Sequence, residues 1–217
     1  MERPGPATVA DAVAVALRSM IGSGELAPGD DIVIEHMAQR LGVSTQPVRE
    51  ALKVLEGEGR LEHQAHRGVR VVALTRDELD EVYRLRGLLE DEAIRRSVAE
   101  FPSTAVDELA GLVEAMAAAS AAGDIDAVQS ANREFHRLLR SFNPITRLDE
   151  QVVELRAVSA PYRRRFLEHR DQWPRLIADH WDIVAGVRAG DPEAVMAAVH
   201  RQRSITVRTL IDGDELP

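Results

Sequence analysis

The chain contains no cysteine. Disulfides, cysteine-ligated zinc, iron–sulfur clusters and thiol nucleophiles are thereby excluded. Lysine is nearly absent as well: Lys53 is the sole one among 27 basic residues, the others being arginine. This reads as a composition bias and carries no functional meaning. No stretch approaches the ~20 apolar residues that a membrane-spanning helix needs. The opening MERPGPATVADAV lacks a basic segment followed by an apolar one, so no signal peptide and a cytoplasmic location are expected. Positive charge is not in excess either. The net charge of -9 argues against indiscriminate coating of nucleic acid, while leaving room for one small reading head. What is present is ordinary for a globular protein: 217 residues, 45% hydrophobic and 29% charged, enough for one or two cored domains.

The charge is unevenly spread. Residues 1–74 carry 8 basic and 10 acidic groups, whereas 75–217 carry 19 and 26. Within 40–72 the balance is positive, with 6 basic groups against 4 acidic.

Val9, Val13, Ala16, Leu17, Met20 and Ile21 recur near the 3.6 period and predict a helix over 8–23. Gly22, Gly24, Pro28 and Gly29 end it. A second short helix is expected over 34–41, stopped by Gly42. A third is expected over about 45–58, with Ser44 as N-cap and Pro47 in its first turn. Val48, Leu52 and Leu55 should face the core, leaving Gln46, Arg49, Glu50 and Lys53 outside. After Gly59 the period shortens to two, and strands at 61–63 and 69–72 flank the tip Ala65-His66-Arg67-Gly68. From Thr75, which forms a capping box with Glu78, six helices follow: 76–98, one that Pro102 and Ser103 precede and that runs to about 122, 124–141, 145–168, 172–189 and 192–211. Their short connections predict an antiparallel bundle. The expected fold is therefore mainly α: an N-terminal winged helix-turn-helix over 1–74, then an all-helical domain over 75–217. The joint at 73–75 is too short for long independent swings.

A winged helix-turn-helix lays its second helix in the major groove, with that helix's N-terminal residues at the base edges. Here those are Ser44, Thr45, Gln46 and Arg49. Gln and Arg can make paired hydrogen bonds to adenine and guanine, respectively. Lys53 lies further along and can reach the backbone, while His66, Arg67 and Gly68 form the wing tip. The alternative is a solvated charged face, with Glu50 and Glu56 pairing Arg49 and Lys53.

Several segments together resemble the GntR family of bacterial transcription regulators: Leu26-Ala27-Pro28-Gly29, Met37 to Ser44, Pro47-Val48-Arg49-Glu50-Ala51-Leu52, Leu55 to Gly59, and Arg67-Gly68-Val69-Arg70-Val71. The helical half resembles the FadR-type effector domain, FCD, through Tyr83-Arg84-Leu85-Arg86, Leu89-Glu90, Phe135-His136, His180 and Gly190-Asp191. The resemblance implies a homodimer on a palindromic double-stranded DNA operator, with a small organic effector in each bundle, and in most relatives a repressor. Thr45 departs from the family, where an arginine is common; the operator sequence is then expected to differ while the binding mode stays.

The resemblance also implies a divalent metal (Zn, Ni or Mn) held by an Asp or Asn and three histidines. Asn132, His136 and His180 match three positions, and the fourth is Gln202. His200 is two residues earlier, about 200° around the helix, and cannot substitute. Two imidazoles and two amides make a poor, uncharged ligand set. A metal-free pocket is the alternative: Arg86, Asn132, His136, His180 and Gln202 would grip an anionic effector such as a carboxylate. Arg86 could instead simply pair with Glu90 on the helix surface, and the histidines could be satisfied core residues. Arg163-Arg164-Arg165 reads as a solvated face, with an anion site as the lesser reading. Trp173 and Trp181 read as core or interface aromatics.

Two other functions are alternatives. A metal-dependent helical enzyme would need a general base beside His136 and His180. No HExxH, GxSxG or phosphate loop is present, and Glu134 should point away from Asn132. An interaction protein whose helix-turn-helix no longer reads DNA is the other.

Overall fold

The computed structural model describes residues 8–64 and 68–212. The chain divides into two compact units between Leu74 and Thr75.

The first unit contains α1 (Val9–Gly22), β1 (Asp31–Ile32), α2 (Ile34–Leu41), α3 (Thr45–Gly57), β2 (Leu61–Gln64) and β3 (Gly68–Val71). Thr8 caps α1 through a box with Asp11. Val13, Leu17, Met20 and Ile21 turn inward, but Val9 does not: in the first turn it is 57% exposed. On α3, Val48, Leu52 and Leu55 are buried as their spacing predicts. They join α1 and the strands in one hydrophobic cluster.

The sheet has three strands in the order β1-β3-β2, all antiparallel. Sequence reasoning missed β1. Two residues are too few to show alternation, and the strand exists because Asp31 and Ile32 meet Arg70 and Val69 across it. Arg70 Nε also donates to Asp31 Oδ1 at 2.7 Å.

The second unit is helical throughout among the described residues. It contains α4 (Arg76–Ala99), α5 (Ser103–Ala122), α6 (Ile125–Arg140), α7 (Thr146–Glu168), α8 (Trp173–Ala189) and α9 (Pro192–Asp212), with a 3-10 turn at Arg170–Gln172. Thr75 and Glu78 form the expected capping box. Asp191 caps α9, its Oδ1 accepting from the amides of Glu193 and Ala194. α4 packs against α7 and α9, α5 against α6 and α8, and α8 against α9. Phe135, Leu109, Met116 and Ile183 centre the core. At Gly186 a Cβ would stand 2.7 Å from Val195 Cγ2 and 3.0 Å from the Val195 amide, so only glycine lets α8 and α9 approach this closely. No helix among the described residues is long and apolar enough to cross a membrane.

Candidate functional site

Two surfaces concentrate the chemistry, one in each unit. In the first, Ser44 stands at the N-cap of α3 with extended backbone but makes no side-chain capping bond. Burying Val48, Ala51, Leu52 and Leu55 turns Gln46, Arg49 and Lys53 outward, and all three are exposed. Thr45 is half-buried in the first turn. Gln46 Nε2 donates to Glu50 Oε1 at 2.9 Å. Glu50 is thus taken by Gln46, and neither Arg49 nor Lys53 is tied to a carboxylate among the described residues. Gly68 opens β3 with φ +91, which a side chain would strain. His66 and Arg67, expected at the wing tip, lie outside the described residues.

In the second unit a cavity of about 390 Å³ is walled by α4, α6, α7 and α9. Arg86, Asn132, His136 and Gln202 all line it, from three different helices. His180 is fully buried outside the lining. It reaches the cavity through Gln202, whose Nε2 is 2.8 Å from His180 Nδ1, and packs its ring on Phe135.

Glu90, 2% exposed, is the electrostatic centre. It is bonded by Arg156 Nε, with Arg86 Nε at 3.5 Å and Arg203 NH2 at 3.6 Å. Burial alone would push its carboxyl up, but the charges of Arg156, Arg86, Arg203 and Arg140 together hold it well below the usual carboxylate range. Arg203 also reaches Asp91 at 2.8 Å, and Arg140 reaches Asp149 at 3.0 Å. Arg163 differs. Its hydrogen-bond partners are neutral: Thr206 Oγ1 at 2.8 Å and Asn132 Oδ1 at 3.0 Å. Burial pulls its pKa down to about 10, and that of Arg156 to about 9, so both stay cationic at neutral pH.

The Arg86–Glu90 pair exists, but inside the cavity rather than on a helix surface, and Arg86 NH1 also donates to Ser159 Oγ at 2.8 Å. Arg163 is not part of a solvated face. It points inward because α7 buries Ser159, Tyr162 and Phe166 around it. Arg164 instead pairs with Asp126. Glu134 reaches the cavity rim after all, tied there to Arg137. Trp173 is core, its indole donating to the Leu167 carbonyl at 2.8 Å, whereas Trp181 is 39% exposed. Sequence reasoning missed Arg156 and Arg203. The available signal was spacing: Arg156, Ser159 and Arg163 repeat at helical intervals on α7, as do Val199, Gln202, Arg203 and Thr206 on α9.

The residues present do not fit a divalent metal. One nitrogen is suitably prepared: His180 Nδ1 lies 2.6 Å from the Leu176 carbonyl, which fixes its proton there, and His180 Nε2 is buried without a partner. Two of the other three donors are turned to protein partners. Asn132 Oδ1 accepts from Arg163, the Gln202 amide faces His180 Nδ1, and no three His, Asp or Glu converge among the described residues. A dication would also sit among uncharged ligands in the field of Arg156, Arg163 and Arg140.

The buried histidines make stability pH-dependent. Burial pulls His180 down to about 3 and lowers His136 as well, where His180, Arg156 and Arg163 add to the effect. Both are neutral when folded, while the unfolded chain takes up protons near pH 6.5. The unfolded state binds more protons below that pH, so stability falls on acidification. The slope approaches about 1.4 kcal/mol per pH unit for each histidine. Urea unfolding between pH 6.5 and 5, in chelator, should show this fall, and His136→Gln should roughly halve it. An unchanged slope in that variant would contradict the assignment.

The chain matches two family models: "Bacterial regulatory proteins, gntR family" over residues 9–71, and "FCD domain" over 81–202. Among curated proteins it is 30% identical over 196 residues to a probable D-xylose utilization operon transcriptional repressor of Paenarthrobacter nicotinovorans, covering 86% of this chain and 81% of that protein. It is 32% identical over 128 residues to YdhC, an HTH-type transcriptional regulator of Bacillus subtilis (strain 168). That match covers 58% of this chain and 57% of YdhC, so the alignment spans little more than half of that relative. Among solved structures, E. coli McbR/YncC superposes with a TM-score of 0.84 at 24% identity, covering 94% of this chain and 98% of that one. This last likeness speaks to the fold.

Proposed function

The chain belongs to the GntR family of bacterial transcription regulators, with an FCD domain, and on that premise we propose that it is a ligand-responsive repressor. It works as a cytoplasmic homodimer on a palindromic operator. Ser44, Thr45, Gln46 and Arg49 read base edges from α3, and Lys53 holds the phosphate backbone. The wing tip at His66, Arg67 and Gly68 completes the contact. A small organic anion in the helical unit adjusts operator affinity by favouring one of two dimer arrangements. Arg86, Asn132, His136, His180 and Gln202 belong to that effector site.

The observation that carries the DNA reading is α3 itself. Its buried stripe leaves Arg49 and Lys53 together on an exposed face, untied to Glu50. A bidentate Arg–guanine contact is available only to a guanidinium held this way. The repressor sense is supported by the function named for the Paenarthrobacter relative.

Selection of bound sequences from a random DNA pool, with the full chain, tests this reading. A palindromic consensus should emerge. Arg49→Ala should then weaken consensus binding by roughly 5- to 150-fold, about 1–3 kcal/mol, and relax one base position. Lys53→Ala should weaken all sequences alike and reduce the salt slope by about 1. Equal affinity for every sequence, with Arg49→Ala silent, would leave an interaction protein that does not read DNA.

A further inference from the structure

The helical cavity has more positive charge than the chain itself neutralises. Seven guanidiniums line it. Arg133 and Arg137 are exposed at the rim, and five lie further in: Arg86, Arg140, Arg156, Arg163 and Arg203. Three carboxylates answer them: Glu90, Asp91 and Asp149. Two positive charges are left over. Arg163 carries one of them, because its hydrogen-bond partners are neutral. Arg86 and Arg156 share Glu90 between them and account for the other. At the rim, Arg137 is matched by Glu134 and Arg133 bonds the neutral Ser130 hydroxyl, so the rim does not cancel the excess.

The same cavity gathers donors that make no hydrogen bond, although one of them, Arg86 Nε, faces Glu90 across an ion pair at 3.5 Å. Among the described residues, six buried side-chain polar atoms have no hydrogen-bond partner. Four of them belong to cavity-lining residues: Tyr83 Oη and the Nε atoms of Arg86, Arg163 and Arg203. All four can donate. Tyr83 is 2% exposed, so its hydroxyl has no bulk water to turn to. A buried donor left unsatisfied carries the full cost of its lost hydration. Four in one cavity, beside two uncompensated charges, describe the imprint of an acceptor-rich, doubly negative molecule. Ala157, Ala160 and Val199 supply an apolar wall for a short carbon skeleton. The volume equals on the order of a dozen waters, room for a small metabolite.

We propose that this cavity binds a small organic dianion, a dicarboxylate or a phosphate monoester, directly through Arg86, Arg163, Arg203 and Tyr83, with no metal ion between ligand and protein. Arg163 takes the role a metal would have: it occupies Asn132 Oδ1 and brings the positive charge itself. This deepens the effector reading above and rests on it for its regulatory meaning only. The binding chemistry stands on the cavity alone.

The test uses the full chain stripped of metal with chelator. Succinate and glycerol 3-phosphate serve as dianions, with butyrate and glycerol as singly charged and neutral controls, all at constant ionic strength. Calorimetric titration and thermal unfolding are read together. At least one dianion should bind saturably and raise the melting temperature, at least tenfold tighter than butyrate, with chelator making no difference. Whichever dianion binds tighter identifies the source. Arg163→Gln should weaken that dianion at least tenfold without lowering the melting temperature of the ligand-free protein. A purely structural arginine would lower it. Four results overturn the proposal: no saturable binding of either dianion, butyrate binding as well as succinate, dianion binding only after zinc is added, or Arg163→Gln binding normally. Operator binding by the ligand-free chain is measured alongside. Intact operator binding without dianion binding sinks this inference alone. Dianion binding without operator binding sinks the regulator reading and leaves the site.

Discussion

Glu90→Gln is expected to destabilise the helical unit by about 3–5 kcal/mol, the range found when one partner of a buried ion pair is removed. The substitution keeps the side chain's shape and removes only its charge. Arg86, Arg156 and Arg203 would then face one another without the carboxylate that now lies among them. The charge excess of the cavity would rise from two to three. For a unit of this size each kcal/mol moves the melting temperature by about 2–4 °C, so a fall on the order of 10 °C should appear in a thermal scan. Adding Arg156→Leu removes one of the stranded charges and should recover part of the loss, because residues in one charge network couple by about 0.5–3 kcal/mol. A fall under about 2 °C for Glu90→Gln would mean that water reaches Glu90 and that the cavity is not the low-dielectric site described. Arg163→Gln acts in the opposite sense on the same balance, so the two substitutions together separate charge from packing.

Leu55→Ala should have the largest effect on DNA binding of any single change outside the reading face. Leu55 is fully buried at the centre of the first unit's hydrophobic cluster. Truncating such a residue costs about 2–5 kcal/mol. A unit that ends at Leu74 cannot easily absorb this, since cores of that size rarely supply more than about 3–5 kcal/mol in total. α3 would lose the packing that turns Arg49 and Lys53 outward. Operator affinity should fall by more than tenfold, with an early unfolding transition in the thermal scan. Dianion binding should stay within twofold, because the two hydrophobic clusters share no residue. If operator binding survives, or if dianion binding falls in parallel, the units do not fold as separately as their cores imply.

Much of this molecule was legible in its sequence because the signals were local. Helix boundaries followed from caps and breakers: Thr75 with Glu78, Gly123, Asp191 before Pro192 and Gly190 all act within a few residues of themselves. The outward face of α3 followed from the period of Val48, Leu52 and Leu55. Even the cavity of the helical unit was partly visible, since Arg86, Asn132, His136 and Gln202 do share it.

The rest depended on contacts between distant segments. β1 has no strand pattern of its own and is defined by pairing with Val69 and Arg70. Arg163 sits in a run of three arginines that looks solvated, and only the approach of α6 and α9 shows that it bonds Asn132 and Thr206. Arg156 and Glu90 are 66 positions apart, so their pairing leaves no trace in spacing. By itself, then, the sequence determined the elements, the two-part organisation and the exposed face of α3, because backbone propensity, capping and amphipathic period are properties of neighbouring residues. The tertiary structure alone decided the charge of the cavity. Whether a buried arginine is neutralised or left uncompensated depends on which carboxylates other helices bring within a few ångströms, and Coulomb energy in a low-dielectric interior is set by that distance and not by order along the chain.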